Sequence, residues 1–165
     1  MMEINNLIVE KLKSLGEDTV VESSDFRDDF CVTVNADKIV AVAKLLKEDS
    51  ELKFELCEDV TAIDWAKRKS RFTIVYHVLS LKNNFRLRIK ANLEGSSEEI
   101  ETVSSVWSSA NWYERETWDM YGIKFLNHPD LRRMYMPEEF EHHPLRKEFP
   151  VMGIPGSVPL PKQID

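Results

Sequence analysis

Proline is absent from the first 128 residues of this 165-residue chain; all seven prolines fall between Pro129 and Pro161. Proline removes a backbone donor and stops helices, so the last quarter must run as extended or turning chain, while the rest is free to form regular elements. Cysteine is scarcer still. Cys31 and Cys57 stand 26 positions apart with no CxxC spacing, which points to reduced thiols and excludes an iron-sulfur cluster held by this chain alone, since a cluster takes four such ligands. No apolar run reaches the roughly 18 to 20 residues that cross a bilayer. The N-terminal "MMEINNLIVEKLKSLG" carries acids and amides where a secretory signal has a basic region and an apolar core, so an intracellular chain, peripheral to a membrane at most, is expected. Cations are outnumbered, 22 Lys and Arg against 29 Asp and Glu, and the net charge of −7 excludes general affinity for nucleic acid. GxSxG, Walker and GxGxxG patterns are missing as well.

What is present suits one domain with an ordinary core: 42% apolar and 31% charged residues over a length too short for two comfortable domains. Ile4, Leu7, Ile8, Leu12 and Leu15 recur at helical spacing ahead of Gly16, a C-terminal stop. "DTVVES" and "DFCVTVN" read as strands, the second placing Phe30, Val32 and Val34 on one face. Asn35 is an N-cap for a helix with its stripe at Ile39, Val42, Ala43 and Leu46. "KFELCEDVTAIDW", "RFTIVYHVLSL" and "FRLRIKANL" read as three more strands, the last two forming a hairpin across "KNN". Beyond them, Ser96 and Glu99 form a capping box before Ile100, Val103, Val106 and Trp107, which predicts a helix; a second helical segment runs from Trp112 to a stop at Gly122. The order α β β α β β β α α predicts an α+β two-layer sandwich over residues 1–122, a mixed or antiparallel sheet with helices on one face. An extended irregular tail over 123–165 follows. A tail that long is either functional or partner-bound.

Candidate chemistry gathers near the C-terminal end. "WYERETWDMYGIKF" sets Glu114, Arg115, Glu116 and Asp119 among tryptophans and tyrosines. Glu114 and Glu116 project about 200° apart on a helix, poor geometry for an acid-base pair, whereas Arg115 and Asp119 stand four apart and can meet on one face, shielded by Trp112 and Trp118. His142 and His143 with Glu138, Glu139 and Glu141 are the available metal ligands, but adjacent histidines in extended chain point to opposite faces. "AKRKSR" (Lys67, Arg68, Lys69, Arg71) is either a phosphate patch or a solvated turn, and Cys31 and Cys57 read as buried thiols. "HPDLRR" and "HPLRK" each put a proline-fixed bend before a leucine and two cations, so Arg132, Arg133, Arg146 and Lys147 can dock on a partner's carboxylates or on the chain's own domain.

"ERETWDMYGIKFLNHPDLRRMY" followed by "HPLRKEFP" closely resembles the signature of the 30-kilodalton-type subunit, also called the C subunit, of respiratory complex I (NADH:quinone oxidoreductase). The matching positions include Glu114, Arg115, Glu116, Asp119, Met120, Tyr121, His128, Arg132, Met134 and Tyr135. Asn127 and His142 stand where the family has glycine, Phe140 where tryptophan is usual and Glu148 where aspartate is common; Asn and His tolerate positive φ, so the bends can survive.

The resemblance implies a non-catalytic scaffold in the hydrophilic arm, supporting electron transfer from NADH to quinone. The chain itself would bind no cofactor; NAD, FMN, iron-sulfur clusters and quinone would belong to neighbouring subunits. It implies a place on the cytoplasmic side of a bacterial membrane, attached only through the complex. Its partners would be chiefly the large hydrogenase-like quinone-site subunit, along which the tail wraps, and the adjacent iron-sulfur subunit. Glu114, Arg115, Glu116, Asp119, His128, Asp130, Arg132, Arg133, His143, Arg146 and Lys147 become the signature and subunit-interface residues. Two other readings stand beside it: the equivalent scaffold of a related membrane-bound hydrogenase complex, and a small acid-base enzyme using Glu114, Glu116 and His128.

Overall fold

The computed structural model describes residues 2–27, 29–66, 69–94 and 98–157. Lys67, Arg68 and Ser96, and with Ser96 the capping box, lie outside the described residues. Helix α1 spans Met2–Lys13, strands β1 and β2 span Val20–Phe26 and Asp29–Asn35, and α2 spans Ile39–Glu48 after a short 3-10 turn at Ala36–Lys38. Strands β3 (Leu56–Asp64), β4 (Phe72–Ser80) and β5 (Phe85–Asn92) follow. The short β6 (Glu99–Glu101), α3 (Ala110–Tyr121) and β7 (Lys124–Leu126) complete the regular elements.

Five strands form one sheet in the order β1-β2-β5-β4-β3, antiparallel throughout except for the parallel β2–β5 pair, so the α+β fold carries a mixed sheet. Ile8 and Leu12 of α1 and Val42 and Leu46 of α2 are fully buried in one core with Val32, Val34, Ile74, Leu87 and Ile89. Strand alternation sends the charged neighbours to the opposite face. There Arg88 binds Asp29 at 3.2 Å and donates to His77 at 3.0 Å, His77 lies 3.4 Å from Asp59, and Arg86 pairs with Glu58 at 2.9 Å. The hairpin between β4 and β5 turns with Asn84 at φ 47°, while Asn83 uses its amide to hold the carbonyls of Glu51 and Leu52. Asn35 accepts from the Asp37 N–H and starts the second helical region through that 3-10 turn.

The helix expected around residues 100–107 does not form: Glu99–Glu101 pairs in parallel with Lys124–Leu126, and turns lead from there to α3 at Ala110. Ile100, Val103, Val106 and Trp107 are all buried, as their spacing suggests, but a strand and a turn bury them instead of a helix face. Thr102 and Ser104 divert the backbone, since the Ser104 N–H donates to the Thr102 hydroxyl, a local bond that competes with helix formation.

Strand β3 ends the sheet, and an exposed strand edge is a site for unwanted pairing. Here α3 and the turn before it cover that edge. The Ser109 hydroxyl donates to the Cys57 carbonyl at 2.8 Å, the Trp107 indole to the Phe54 carbonyl at 2.9 Å, and the Thr117 hydroxyl to the Val60 carbonyl at 2.8 Å. These bonds fix how α3 lies against the sheet. Thr117→Val keeps the shape and leaves the buried Val60 carbonyl without this donor; a loss of about 1 to 3 kcal/mol is expected in urea unfolding. A change below about 0.5 kcal/mol would show that the edge does not depend on this bond.

Candidate functional site

Helix α3 buries four polar side chains, Glu114, Arg115, Thr117 and Asp119, which few helices of twelve residues do. Three of them are explained by what lies against the helix. Thr117 holds the sheet edge, and Arg115 and Asp119 hold the chain that returns after β7. Asp119 has no exposed surface. Its Oδ2 accepts the backbone N–H groups of Met134, Tyr135 and Met136 at 3.0, 2.7 and 3.0 Å, and its Oδ1 accepts from Arg133 at 2.5 Å. Burial opposes ionisation of this carboxyl. The N–H donors of Met136, Tyr135 and Met134, with the Arg133 guanidinium, outweigh it and hold the pKa below the ordinary value.

Arg115 and Asp119, expected to pair across one helical turn, do not meet. Arg115 instead donates to the carbonyls of Arg132 and Arg133, each at 3.2 Å, with its guanidinium 4.9 Å from the Trp112 ring. The tail brings Asp119 a better set of donors than the helix offers. Arg133 lies between Trp118 and Phe140, at 5.7 and 5.6 Å from the ring centroids, and also donates to the His142 carbonyl. The two tryptophans lie by one arginine each, Trp112 by Arg115 and Trp118 by Arg133, and not over an Arg115–Asp119 pair.

Further on, the tail closes the C-terminal end of α3. The last carbonyls of a helix have no partner within it. Here the Asp119 carbonyl accepts from His143 Nδ1 at 2.9 Å, the Met120 carbonyl from the Leu145 N–H at 3.0 Å, and the Tyr121 carbonyl from Arg146 at 2.5 Å. Arg146 also binds Glu98 at 2.6 Å and lies 5.5 Å from the Phe72 ring. Burial lowers the His143 pKa, and nearby Arg146 and Arg133 add to this, so its ring serves as a neutral donor. Gly122 stands at φ 76°, and a methyl group there would lie 2.6 Å from the His143 ring and 2.5 Å from the Arg146 guanidinium. Next the Lys147 N–H donates to Asp64 at 2.9 Å. Asp64 is also forked by Arg71, which holds its carboxyl well below the usual range and reaches Glu148 as well.

The other sequence candidates go elsewhere. Glu116 lies on the outer side of α3, 3.3 Å from the exposed Tyr135 hydroxyl, while the buried Glu114 lies 3.8 Å from His128, so the acid-base trio does not converge. Asp130 and Arg132 pair with each other at 2.9 Å in solvent, and the Lys147 side chain is exposed. His142 packs edge-on to Phe140 at 5.5 Å, away from the His143 contact, and among the described residues no group of three or more His, Cys, Asp or Glu is arranged to hold a metal. Asn127 takes the left-handed bend at φ 61°, whereas His142 is not among the described residues with positive φ. Burial pushes the Cys57 thiol up to about 12 and raises Cys31 too. Asp64, Glu98, Thr102 and Thr117 carry no mark in the sequence. Asp64 and Glu98 meet tail residues 83 and 48 positions away, beyond the reach of any local pattern.

Asp119→Ala should detach residues 133–136, at a cost of roughly 3 to 5 kcal/mol for an uncompensated Arg133 and three freed N–H groups. Limited proteolysis should then cut between Asn127 and Phe149 far faster than in the unaltered chain; unchanged cleavage would refute the anchoring role. Because the folded Asp119 and Asp64 pKa values are depressed, their contribution is present above the ordinary carboxylate value of about 3.9 and fades as the pH falls below it, so acid should expose the same sites. Gly122→Ala should cost about 1 to 3 kcal/mol in urea unfolding, and an unchanged midpoint would show that the His143 and Arg146 contacts yield freely.

Comparison with known proteins gives this geometry a family. Residues 32–154 match the profile described as "Respiratory-chain NADH dehydrogenase, 30 Kd subunit". The chain is 44% identical over 153 residues to the C subunit of NADH-quinone oxidoreductase from Geobacter sulfurreducens, covering 92% of this chain and 93% of that protein. Among solved structures, the fold is similar to the trypsin-resistant fragment of Nqo5 (TM-score 0.61, 23% identity, 76% of this chain and 98% of that one). It is also similar to a chain of the archaeal membrane-bound sulfane sulfur reductase (TM-score 0.71, 24% identity, 90% and 87%). With the match running through the sheet, α3 and the anchored tail together, the chain belongs to the family of the 30 kDa subunit, or C subunit, of respiratory-chain NADH-quinone oxidoreductase.

Proposed function

We propose that this chain is a non-catalytic scaffold subunit of the hydrophilic arm of proton-translocating NADH:quinone oxidoreductase. In this reading it presents its tail to the large hydrogenase-like quinone-site subunit and to the adjacent iron-sulfur subunit. NAD, FMN, iron-sulfur clusters and quinone are bound by neighbours, and the chain meets a membrane only through the complex, on the cytoplasmic side of a bacterial cell. One observation carries the proposal. The tail is stitched to α3 by the family's own signature charges, yet it leaves Tyr135, Leu145, Val151 and Met152 exposed, at 59, 51, 103 and 94%. Beside them Met136, Phe140, Pro144, Phe149, Met152 and Ile154 line a groove of about 510 Å³. Apolar groups held on an ordered path over a charged body suit a protein-protein contact. No helix among the described residues is long and apolar enough to cross a membrane.

In this reading the signature divides by direction. Arg115, Asp119, Arg133, His143 and Arg146 fasten the tail from inside, and Glu116, Asp130, Arg132 and Lys147 face outward to a neighbour. The acid-base enzyme loses support because Glu116 stands apart from Glu114 and His128. The scaffold of a related membrane-bound complex shares the fold, and the two are separated by the proteins that co-purify.

Affinity purification of the tagged chain from its native membrane should bring down the iron-sulfur and quinone-site subunits. Met152→Asp combined with Leu145→Asp should reduce the assembled arm on native gels while the chain's circular dichroism stays unchanged, since one buried anchor of an interface is worth more than about 2 kcal/mol. Arg132→Ala should weaken assembly without loosening the tail. Arg146→Ala should do both. Normal assembly of all three variants would overturn the scaffold reading.

A further inference from the structure

Helix α3 carries a second buried carboxyl that tail anchoring does not use. Glu114 has no exposed surface. Its Oε1 accepts the Val103 N–H at 2.8 Å, and its Oε2 is hydrogen-bonded to the Thr102 hydroxyl. Among the described residues neither Lys nor Arg pairs with it, unlike Asp119, which has Arg133. The titratable groups facing it are His128 from the bend after β7, Tyr76 from β4 and Cys57 from β3. Each is neutral. His128 Nδ1 accepts the Asp130 N–H at 3.1 Å and therefore carries no proton, and its Nε2–H is directed at the Asn111 carbonyl at 3.1 Å. Burial, with nearby Arg115 adding to it, lowers its pKa against the opposing effects of the Asn111 carbonyl and Asp130. Among the described residues the buried Tyr76 hydroxyl has no hydrogen-bond partner, and burial, with the Glu114 charge adding to it against the bond to the Asp59 backbone, keeps Cys57 a thiol.

The hydroxyls beside Glu114 register whether it holds a proton. The Thr102 oxygen accepts the Ser104 N–H at 3.1 Å and lies 2.8 Å from the Ser104 hydroxyl. Threonine has one hydroxyl proton. If it goes to Ser104, the carboxyl must bring its own proton to bond Thr102. If Glu114 is ionised, Thr102 turns its proton toward the carboxylate and Ser104 donates to Thr102 in return. The two states differ by one proton and two hydroxyl rotations. Thr102 is buried and Ser104 is partly exposed, so the relay runs from the core to solvent.

We propose that Glu114 is a buried proton-binding site, loaded from solvent through Ser104 and Thr102, and that its proton holds α3 to the chain end of β6. Losing the proton leaves a carboxylate in the core with two neutral donors and no cation, which weakens that joint. Burial pushes the Glu114 pKa up to about 7, against the Thr102 and Val103 donors that favour the charged form. The sign follows from a folded pKa raised above an ordinary 4.5. The stability that the proton confers is complete below the unfolded value and is lost as the pH rises through the folded one.

Infrared difference spectra of the full chain, recorded through a pH titration, should show the C=O stretch of a protonated carboxyl at about pH 5.5 and lose it above about pH 8. The band should vanish in Glu114→Gln. In urea unfolding, the ratio of folding constants of the unaltered chain and Glu114→Gln should change by about two orders of magnitude between about pH 4.5 and 7. Thr102→Val, which removes a donor to the charged form, should move loss of the band to higher pH, and it decides the matter if Glu114→Gln does not fold. No band at about pH 5.5, a band unaffected by both substitutions, or a pH-independent ratio would overturn the proposal.

Discussion

A single carboxylate organises the end of this molecule. Asp119 gathers three consecutive N–H groups and one guanidinium at the last turn of α3, which converts the chain after Asn127 from a run of prolines and turns into a fixed path. A chain segment without apolar alternation cannot bury enough surface to offset the roughly 1 to 2 kcal/mol that ordering each residue's backbone costs. It must be held at discrete points by bonds of more than ordinary strength. A buried, ionised acceptor with backbone donors is such a point, since charge-assisted hydrogen bonds are about twice as strong as neutral ones.

The remaining anchors continue the same logic along the helix axis. The carbonyls of Asp119, Met120 and Tyr121 are left open where α3 ends, and the tail fills them in order with His143, Leu145 and Arg146. Of these, the Arg146 cation also meets the negative end of the helix dipole. Gly122 lets this happen twice over: its left-handed φ ends the helix, and its missing side chain makes room for His143 and Arg146. The opposite side of α3 meanwhile covers the β3 edge through Thr117. One helix therefore joins the sheet to the tail, and burial of Arg115, Thr117 and Asp119 follows from bonds made chiefly to the backbone of these two partners.

How much of this is legible in the sequence depends on the range of the interaction. Strands β3, β4 and β5 and the turn at Asn84 are legible because alternation and positive φ are local properties. So is the end of α3 at Gly122. The segment with Ile100, Val103, Val106 and Trp107 reads as a helix because periodicity reports burial, and a strand followed by a turn can bury the same positions. The Arg115–Asp119 pair fails for a related reason. A helix offers an i,i+4 partner, but Asp119 finds donors 14 to 17 residues away and Arg115 finds carbonyls 17 and 18 away, contacts without a sequence period. The family signature can be recognised without revealing which charges face inward, since a motif records positions and not partners.

The contrast between Asp119 and Glu114 shows why charged residues are tolerated among so many aromatics. Both carboxyls are completely buried on one helix, five residues apart. Asp119 has a cation and three backbone donors, and its pKa falls; Glu114 has a hydroxyl and one N–H, and its pKa rises. Burial acts on both in the same direction, and only Asp119 has donors enough to outweigh it. A buried ion pair adds little to stability over a well-packed apolar pair, but it is unforgiving of misplacement, because a displaced partner leaves a bare charge. Trp118 and Phe140 lie against Arg133 and leave its side chain little contact with water. A tail held this way has one acceptable route over its own domain, which the docking role proposed for it would require.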